Sequence, residues 1–180
     1  MKQKEAVPAG TEFVEKNIRE FQGSPFERIG KGWMLITAGN AGDWNTMTAS
    51  WGGLGVLWGR DVAFIFIRPC RLSFDFVNAA SLFSLSFFYE SHRKALNICG
   101  EKSGRDIDKA SVTGLTPILF EDSGAVGFKE AREIMICRKL YTHDLNPAGF
   151  LDAPAIEIHY PLKDYHRMYI GEITGLKTRV

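Results

Sequence analysis

The stretch Asn45–Gly53 carries hydroxyl side chains at every second position and ends in two glycines. An apolar run at residues 33–39 and a turn-rich gap at residues 40–44 precede it, which predicts two strands joined by a turn. Such a strand places hydroxyls on one face and apolar groups on the other: Thr46, Thr48 and Ser50 against Met47, Ala49 and Trp51. The hydroxyl face suits a flat polar ring or a phosphate. An ordinary strand with one solvated face is the alternative.

Two arginines and a serine form the second candidate site. Arg68 and Arg71 follow residues 62–67, which are apolar on both faces and predict a central buried strand. Ser73 can cap a helix predicted at residues 74–80, whose first amides would converge with the guanidinium groups on an anion. The alternative is that Arg71 pairs with Asp75 one turn further on and Arg68 lies on the surface.

Two further polar features carry weaker signals. Ser103 and Asp106 have the spacing of a capping box, which predicts a short helix reaching Ala110. His166 lies in a predicted strand at residues 165–173, where a lone histidine more often packs than catalyses. The four histidines and three cysteines show no metal-binding spacing, so we expect no metal site and no disulfide framework.

Strands dominate the elements that must position these residues. Further strands are predicted at residues 82–88, 115–120 and 131–141, and a helix at residues 91–99. Thr11 can cap an amphipathic N-terminal helix that ends at residues 23–25. Residues 52–61 are expected to form a mobile connection, and residues 146–154 an irregular segment. Without regular alternation of strands and helices, the pattern favours a closed or half-closed antiparallel barrel.

Length and composition describe an ordinary globular protein. At 180 residues, 45% of them hydrophobic, the chain is expected to form one domain. A net charge of +1 argues against a nucleic-acid partner, and no apolar run is long enough to cross a membrane, so we expect a cytoplasmic protein. Thirteen phenylalanines and four tryptophans are many for this size, which favours broad packed surfaces and a subunit interface.

Four segments, in this order, resemble the flavin reductase-like family of FMN-binding split barrels, which includes flavoredoxin. They are WMLITAG with NTMTASWGG, FIRPCRLS, LNICGEKSGRDIDK and DYHRMYIGEI, and the resemblance covers residues 25–173. It implies a mainly β, Greek-key split barrel with short inserted helices, in one domain over residues 1–180. Residues 1–24 would be a helical extension. The resemblance also implies a homodimer that binds FMN non-covalently near the subunit interface.

The resemblance also assigns residues to the site. The strand that lines the flavin would comprise Asn45, Thr46, Met47, Thr48, Ala49, Ser50 and Trp51. Arg68, Arg71 and Ser73 would lie at the flavin and its phosphate, with Ser103 and Arg105 near the flavin. His166 matches a histidine on the nicotinamide side in some reductases. Leu72 departs from the aromatic or histidine residue of relatives, which puts a stacking contact in doubt, and Cys70 occupies the variable position between the arginines.

The implied function is that of an NAD(P)H-dependent flavin reductase that transfers hydride to flavin. Because the flavin carries the redox chemistry, no side chain is required as an acid or base, which agrees with the lack of hydrolase motifs in the sequence. Two alternatives stay open. One is a flavoredoxin-like electron carrier that receives electrons from a redox partner protein, and the other is a non-catalytic module that binds flavin.

Overall fold

A computed structural model describes residues 3–180 of the chain. Its α-helices are α1 (Leu72–Ala79), α2 (Arg93–Glu101), α3 (Lys109–Thr113) and α4 (Ala153–His159). Its strands are β1 (Val7–Pro8), β2 (Phe13–Lys16), β3 (Met34–Asn40), β4 (Asp43–Ala49), β5 (Gly52–Leu57), β6 (Arg60–Ile67), β7 (Leu82–Phe87), β8 (Pro117–Phe120), β9 (Ala125–Phe128), β10 (Glu133–Asp144) and β11 (Arg167–Arg179).

One large antiparallel sheet forms the body of the molecule. Its strands follow the order β4-β3-β7-β10-β11-β6-β5, and β2 adds to β11 outside this path. The two ends of the order, β4 and β5, are consecutive in the chain and separated only by Ser50 and Trp51. The sheet is therefore a barrel that is open between β4 and β5, as the strand-rich pattern predicts. A small second sheet orders β1-β8-β9, with β1 parallel to β8.

Strand β3 is buried on both faces because two hydrophobic clusters meet on it. Met34 and Ile36 point into the barrel, while Leu35 belongs to a second cluster that contains residues of α2 and β9. The outer layer packs Leu96 and Phe128 against that face of the sheet. This burial on both faces explains why the run at residues 33–38 is apolar at every position except Thr37 rather than alternating.

The predicted strands and the helix after β7 are confirmed, with shifted ends. β10 continues to Asp144 and β11 to Arg179, beyond the predicted limits, because the two strands pair with each other over most of this length. The helix at residues 74–80 begins two residues earlier, at Leu72. Helix α2 buries Ala95, Leu96 and Cys99.

The predicted N-terminal helix is wrong. Residues Phe13–Lys16 form β2, which pairs with the last residues of β11. Beyond it, Asn17 and Glu20 form a capping box around a single 3-10 turn. A strand forms in spite of the helical spacing of the apolar residues because the edge of β11 offers unpaired backbone groups. Phe13 also packs edge-on against Phe120, with ring centroids 5.6 Å apart, which stabilises the strand.

The predicted mobile connection at residues 52–61 is also wrong, because it forms a hairpin. β5 pairs with β6 in continuous register from Gly52 to Leu57. The two turn residues, Trp58 and Gly59, both have positive φ, at 53° and 70°. This is the conformation of a type I′ turn, which matches the twist of the two strands. Glycines within β5 hide its strand pattern in the sequence.

The segment expected to be irregular at residues 146–154 leads into a helix. A 3-10 turn occupies Pro147–Gly149, and α4 follows with Pro154 in its first turn. Proline is accepted at that position because the first amides of a helix have no intrahelical partner. Pro154 therefore belongs to the first turn of α4.

The cysteines form no disulfide, and the described residues contain neither a membrane-spanning helix nor a metal-binding cluster. Cys70 is exposed, while Cys99 and Cys137 are buried, and all three thiols are free. Within residues 3–180, no helix has the length and apolar character to cross a membrane. The same residues include no group of three or more His, Cys, Asp or Glu side chains placed to hold a metal ion.

Candidate functional site

A cavity of about 150 Å³ lies where three predicted segments meet. Strand β4, the start of α1 and the link between α2 and α3 each contribute one wall. Its lining comprises Asn45, Met47, Cys70, Arg71, Leu72, Ser73, Glu101, Lys102, Ser103, Gly104 and Lys109. The fold thus brings together five predicted site residues, Asn45, Met47, Arg71, Ser73 and Ser103, from three segments that are separate in the sequence.

Asn45 and Ser73 join two of these walls. The Asn45 amide nitrogen donates a hydrogen bond to the Ser73 hydroxyl at 2.7 Å, and both side chains are buried. Ser73 is the second residue of α1 and does not cap it, contrary to the prediction, because Arg71 occupies the N-cap position without a side-chain bond. The serine instead connects the helix to β4.

The other amide atom of Asn45 lacks a partner. Its Oδ1 is buried and accepts no hydrogen bond within residues 3–180. A side chain at position 104 would collide with this oxygen, so Gly104 keeps the space beside it open. A buried acceptor without a donor costs about 1–3 kcal/mol, which a ligand N–H or O–H would recover.

Arg71 brings a cation to the cavity without a carboxylate partner. Its guanidinium donates to the carbonyl oxygen of Gly100, at the end of α2, and makes no ion pair within residues 3–180. The alternative pairing with Asp75 is wrong. Asp75 instead receives a bond from Arg105 at 3.2 Å.

Lys109 is a second buried cation in the same cavity wall. Its ammonium donates to the carbonyl oxygens of Thr46 at 2.7 Å and Cys99 at 2.8 Å, which leaves one of its three N–H donors without an acceptor among residues 3–180. The side chain is only 2% exposed. Burial lowers the pKa of Lys109 to about 8, and the nearby Arg71 cation acts in the same direction.

No sequence pattern assigns a role to Lys109, although it lies in the segment LNICGEKSGRDIDK. Its surroundings in the sequence are mostly charged, which is typical of a solvated segment. The sequence signal that could identify Lys109 is its position directly after Asp108. Asp108 caps α3, and the next side chain, that of Lys109, is buried. Lys109 is therefore identified as a site residue only by the fold.

The predicted hydroxyl row on β4 does not face the cavity. The Thr46 hydroxyl is buried and lies 2.9 Å from that of Thr37, and the Thr48 hydroxyl donates to the carbonyl oxygen of Leu96 at 2.5 Å. Ser50 follows the strand and is exposed. The hydroxyls face the layer that contains α2, so the opposite face, through Asn45 and Met47, lines the cavity.

Ser103 and Arg105 lie at the rim. The predicted capping box at residues 103–106 forms a turn and not a helix, because the Ser103 hydroxyl accepts from the Arg105 amide and α3 begins only after Asp108. The Arg105 side chain reaches across to α1, donating to Asp75 and to the carbonyl oxygen of Cys70 at 3.3 Å. The SGRD segment thus closes one side of the cavity.

Arg68 belongs to a different set of contacts. Its guanidinium donates to Asp164 and to the carbonyl oxygen of His159, both at 2.7 Å. It also lies over the Tyr160 ring, 5.1 Å from the centroid. These partners all come from the connection between β10 and β11, so the structure uses Arg68 to anchor that connection and assigns it no place in the cavity lining.

His166 lies next to Arg68, immediately before β11 and not within a strand as predicted. Its Nδ1 is 2.9 Å from the Tyr160 hydroxyl, and its ring centroid is 5.2 Å from that of the half-exposed Trp51. Burial lowers the pKa of His166 to about 4, and the Arg68 cation adds to the effect against the opposing Asp164 carboxylate. The imidazole is therefore neutral at pH 7.

The cavity therefore combines features that suit a phosphorylated ligand. Arg71 and Lys109 supply positive charge without carboxylates to neutralise it, and Asn45 supplies an unused acceptor. Ala49 lies further along β4 and packs in the barrel interior, and Trp51 follows with an exposed ring face. These residues fit a cofactor with an anionic end, a polar chain and a flat ring.

Solved structures of several known proteins share this fold. A flavoredoxin from Methanosarcina acetivorans has a TM-score of 0.64 at 20% identity, covering 82% of this chain and 68% of that one. An FMN-binding domain of a flavin reductases-like enzyme from Shewanella baltica has a TM-score of 0.67 at 12% identity, covering 93% and 77%. An NADH:FAD oxidoreductase from Streptomyces globisporus, with bound NAD and FAD fragments, has a TM-score of 0.62 at 19% identity, covering 83% and 74%.

These likenesses confirm the predicted split-barrel fold. No curated protein sequence matches the chain significantly. The model of the flavin reductase like domain matches residues 26–179, which is most of the chain. The chain therefore belongs to the flavin reductase-like family, and its function is flavin-related redox chemistry.

Proposed function

We propose that the protein binds FMN non-covalently and catalyses hydride transfer from NAD(P)H to flavin. The observation that carries the proposal is the pair of buried or half-buried cations, Arg71 and Lys109, which share one cavity and bond only to neutral carbonyl groups. A cation that lacks a carboxylate keeps its full attraction for an incoming phosphate. Arg71 and Lys109 would hold the phosphate end of the cofactor.

The other residues would orient the remainder of the cofactor. Asn45 would accept a hydrogen bond from it, since Oδ1 has no donor within residues 3–180, and Ser73 keeps that amide in position. Bound FMN supplies the hydride acceptor. Trp51 lies beside His166 and offers a flat apolar surface to a ring. Neutral His166 can donate or accept one hydrogen bond on the nicotinamide side without adding charge.

Two measurements test the proposal. Quenching of FMN fluorescence by the full-length protein reports binding, and anaerobic mixing with NADH or NADPH reports reduction through loss of the flavin absorbance. We expect tight binding and bleaching by at least one nucleotide. A protein that binds no FMN contradicts the whole proposal, whereas binding without bleaching contradicts only the reductase activity.

An electron carrier is the second candidate function, and the fold similarity to flavoredoxin supports it. In that case the flavin would receive electrons from a redox partner protein, and neither nucleotide would bleach it. Reduction by dithionite followed by oxidation with a protein acceptor would then be observed. The same anaerobic measurement therefore separates the two functions.

We also propose that the site is completed in a homodimer. The cavity volume of about 150 Å³ is below the roughly 300–1,000 Å³ of pockets that enclose small organic ligands, so one subunit surrounds only part of FMN. The β5–β6 hairpin exposes Val56 and Trp58 by about two thirds, and Trp58 lies against the exposed Tyr141. Such an apolar surface suits a subunit interface. Light scattering that gives the monomer mass with FMN bound would contradict this proposal.

A further inference from the structure

The connection between β10 and β11 is far longer than the pairing of its strands requires. Asp144 pairs with Arg167, and the twenty-two residues 145–166 between them carry a 3-10 turn and α4. Adjacent antiparallel strands are commonly joined by about two to five residues, and connections longer than about 12–15 residues are usually functional. The connection therefore calls for an explanation beyond joining two strands.

This connection builds a cavity of about 910 Å³ against the end of the barrel. Half of the lining residues come from residues 145–166, and the others come from β10, β11 and the segment Pro69–Phe74. That segment also carries Arg71 and Ser73, so the large cavity and the smaller candidate flavin cavity lie on the same short piece of chain while sharing no lining residue. The volume is within the range of pockets for small organic ligands.

The charges around the large cavity leave one cation uncompensated. Asp144 is paired with Arg167 at 2.6 Å and Asp164 with Arg68 at 2.7 Å. In both pairs the arginine hydrogen bond holds the pKa of the carboxyl below its usual range, so both carboxylates stay ionised and neutralised. Lys163 is exposed, lines the cavity and makes no ion pair within residues 3–180.

The backbone of Lys163 is held in an unusual conformation. Its φ is 56°, in the left-handed region that non-glycine residues rarely adopt, and its amide donates to the carbonyl oxygen of Tyr160 at 2.9 Å. This turn brings the lysine to the cavity edge. Phe74 and Tyr165 line the same cavity and provide aromatic surface, with the Arg167 guanidinium 4.9 Å above the Phe74 ring.

We propose that this cavity is a second small-molecule site, which binds a flat conjugated organic anion. Lys163 attracts the anionic group, and the aromatic walls contact the conjugated body. The paired carboxylates do not repel such a ligand because each is matched by an arginine. The proposal does not depend on the proposed flavin chemistry, since no residue of the flavin cavity takes part in it.

The test is a titration of the full-length, ¹⁵N-labelled protein with 2-naphthoate, in which binding is monitored through the backbone amide chemical shifts. We expect shifts at Phe74, Lys163 and Arg167, and none at Asn45 or Gly104 of the flavin cavity. The neutral analogue 2-naphthamide should bind about tenfold more weakly or worse, because it lacks the charge that Lys163 recognises.

Four variants sharpen the titration. Lys163→Gln should weaken 2-naphthoate binding about tenfold, and Lys163→Arg should retain it. Lys94→Gln, which removes an exposed lysine from α2, is the matched control and should change nothing. Thr142→Trp should abolish binding by filling the cavity while leaving every charge in place.

Several outcomes would overturn the proposal. They are an absence of shifts at millimolar 2-naphthoate, shifts confined to the flavin cavity, equal affinity for the acid and the amide, or equal losses for Lys163→Gln and Lys94→Gln. FMN affinity is measured separately by fluorescence quenching. A protein that binds FMN but not 2-naphthoate can thus be distinguished from one that binds 2-naphthoate but not FMN.

Discussion

Two arginines three positions apart meet opposite electrostatic surroundings. Arg68 donates to the Asp164 carboxylate and to the carbonyl oxygen of His159. Arg71 bonds to the carbonyl oxygen of Gly100 and shares its cavity with the buried cation Lys109. A neutralised arginine anchors neighbouring chain, whereas an arginine without a carboxylate keeps its charge for a ligand. Arginine spacing alone therefore does not identify an anion site; the partner of each guanidinium does.

The sharpest test of this contrast replaces each arginine by alanine. Arg71→Ala should weaken FMN binding about ten- to hundredfold, since a hydrogen bond to a charged group is worth about 1.5–3 kcal/mol. Arg68→Ala should leave FMN affinity within about threefold but lower the free energy of unfolding by about 1–2 kcal/mol. Fluorescence quenching and urea unfolding measure the two effects, and a reversed pattern would contradict the assignment.

A second test gives Arg71 and Lys109 a carboxylate partner inside the cavity. Asn45→Asp is nearly isosteric and places a negative charge next to Arg71 and Lys109, where the Ser73 hydroxyl can donate to it. We expect FMN affinity to fall about tenfold while the melting temperature rises, because the two cations gain a partner. Asn45→Ala is the control, since it removes the amide without adding charge. Unchanged affinity in Asn45→Asp would mean that the phosphate does not enter this cavity.

The third test uses the depressed pKa of Lys109. With a pKa of about 8 in the free protein, the ammonium loses its charge as the pH rises above that value. Because bound phosphate favours the charged form, FMN affinity should fall above pH 8 by up to about tenfold per pH unit. Lys109→Met should bind FMN more weakly at pH 7 and lose this dependence. A slope that persists in Lys109→Met would assign the titration to another group.

The same dependence on partners from elsewhere in the chain also limits how much of the fold the sequence predicts. Residues 33–39, 62–67 and 82–88 appear as strands because burial on the barrel and on the outer layer makes them mostly apolar, with Thr37, Ser84 and Ser86 as buried polar exceptions. The N-terminal helix fails because the free edge of β11, more than 150 residues away in the chain, decides the conformation of Phe13–Lys16. Local spacing carries no information about that edge.

Some residues of the candidate site can likewise be predicted from local sequence, and others cannot. Residue type and position predict Asn45, Arg71 and Ser73 as site residues, and the fold brings all three to one cavity. The face of β4 that carries Thr46 is predicted wrongly, because its orientation depends on α2 packing against it. Lys109 is missed because its burial results from three separate segments meeting around one ammonium group.

The smallest expected effect on FMN binding concerns His166, in the Arg68 region. Burial lowers its pKa from 6.5 in the unfolded chain to about 4, so the unfolded state binds the extra proton between these values. Stability should therefore be complete above pH 6.5 and fall on acidification towards pH 4, by up to roughly 2–3 kcal/mol. His166→Gln should flatten this decline, measured by urea unfolding at pH 4.5 and pH 7.

The same variant should bind FMN within about threefold of the parent protein, since His166 does not line the flavin cavity that contains Arg71 and Lys109. Its bound flavin should nevertheless be reduced more slowly by NAD(P)H. A large loss of FMN affinity in His166→Gln, with Arg71→Ala unaffected, would reverse the roles of the two regions.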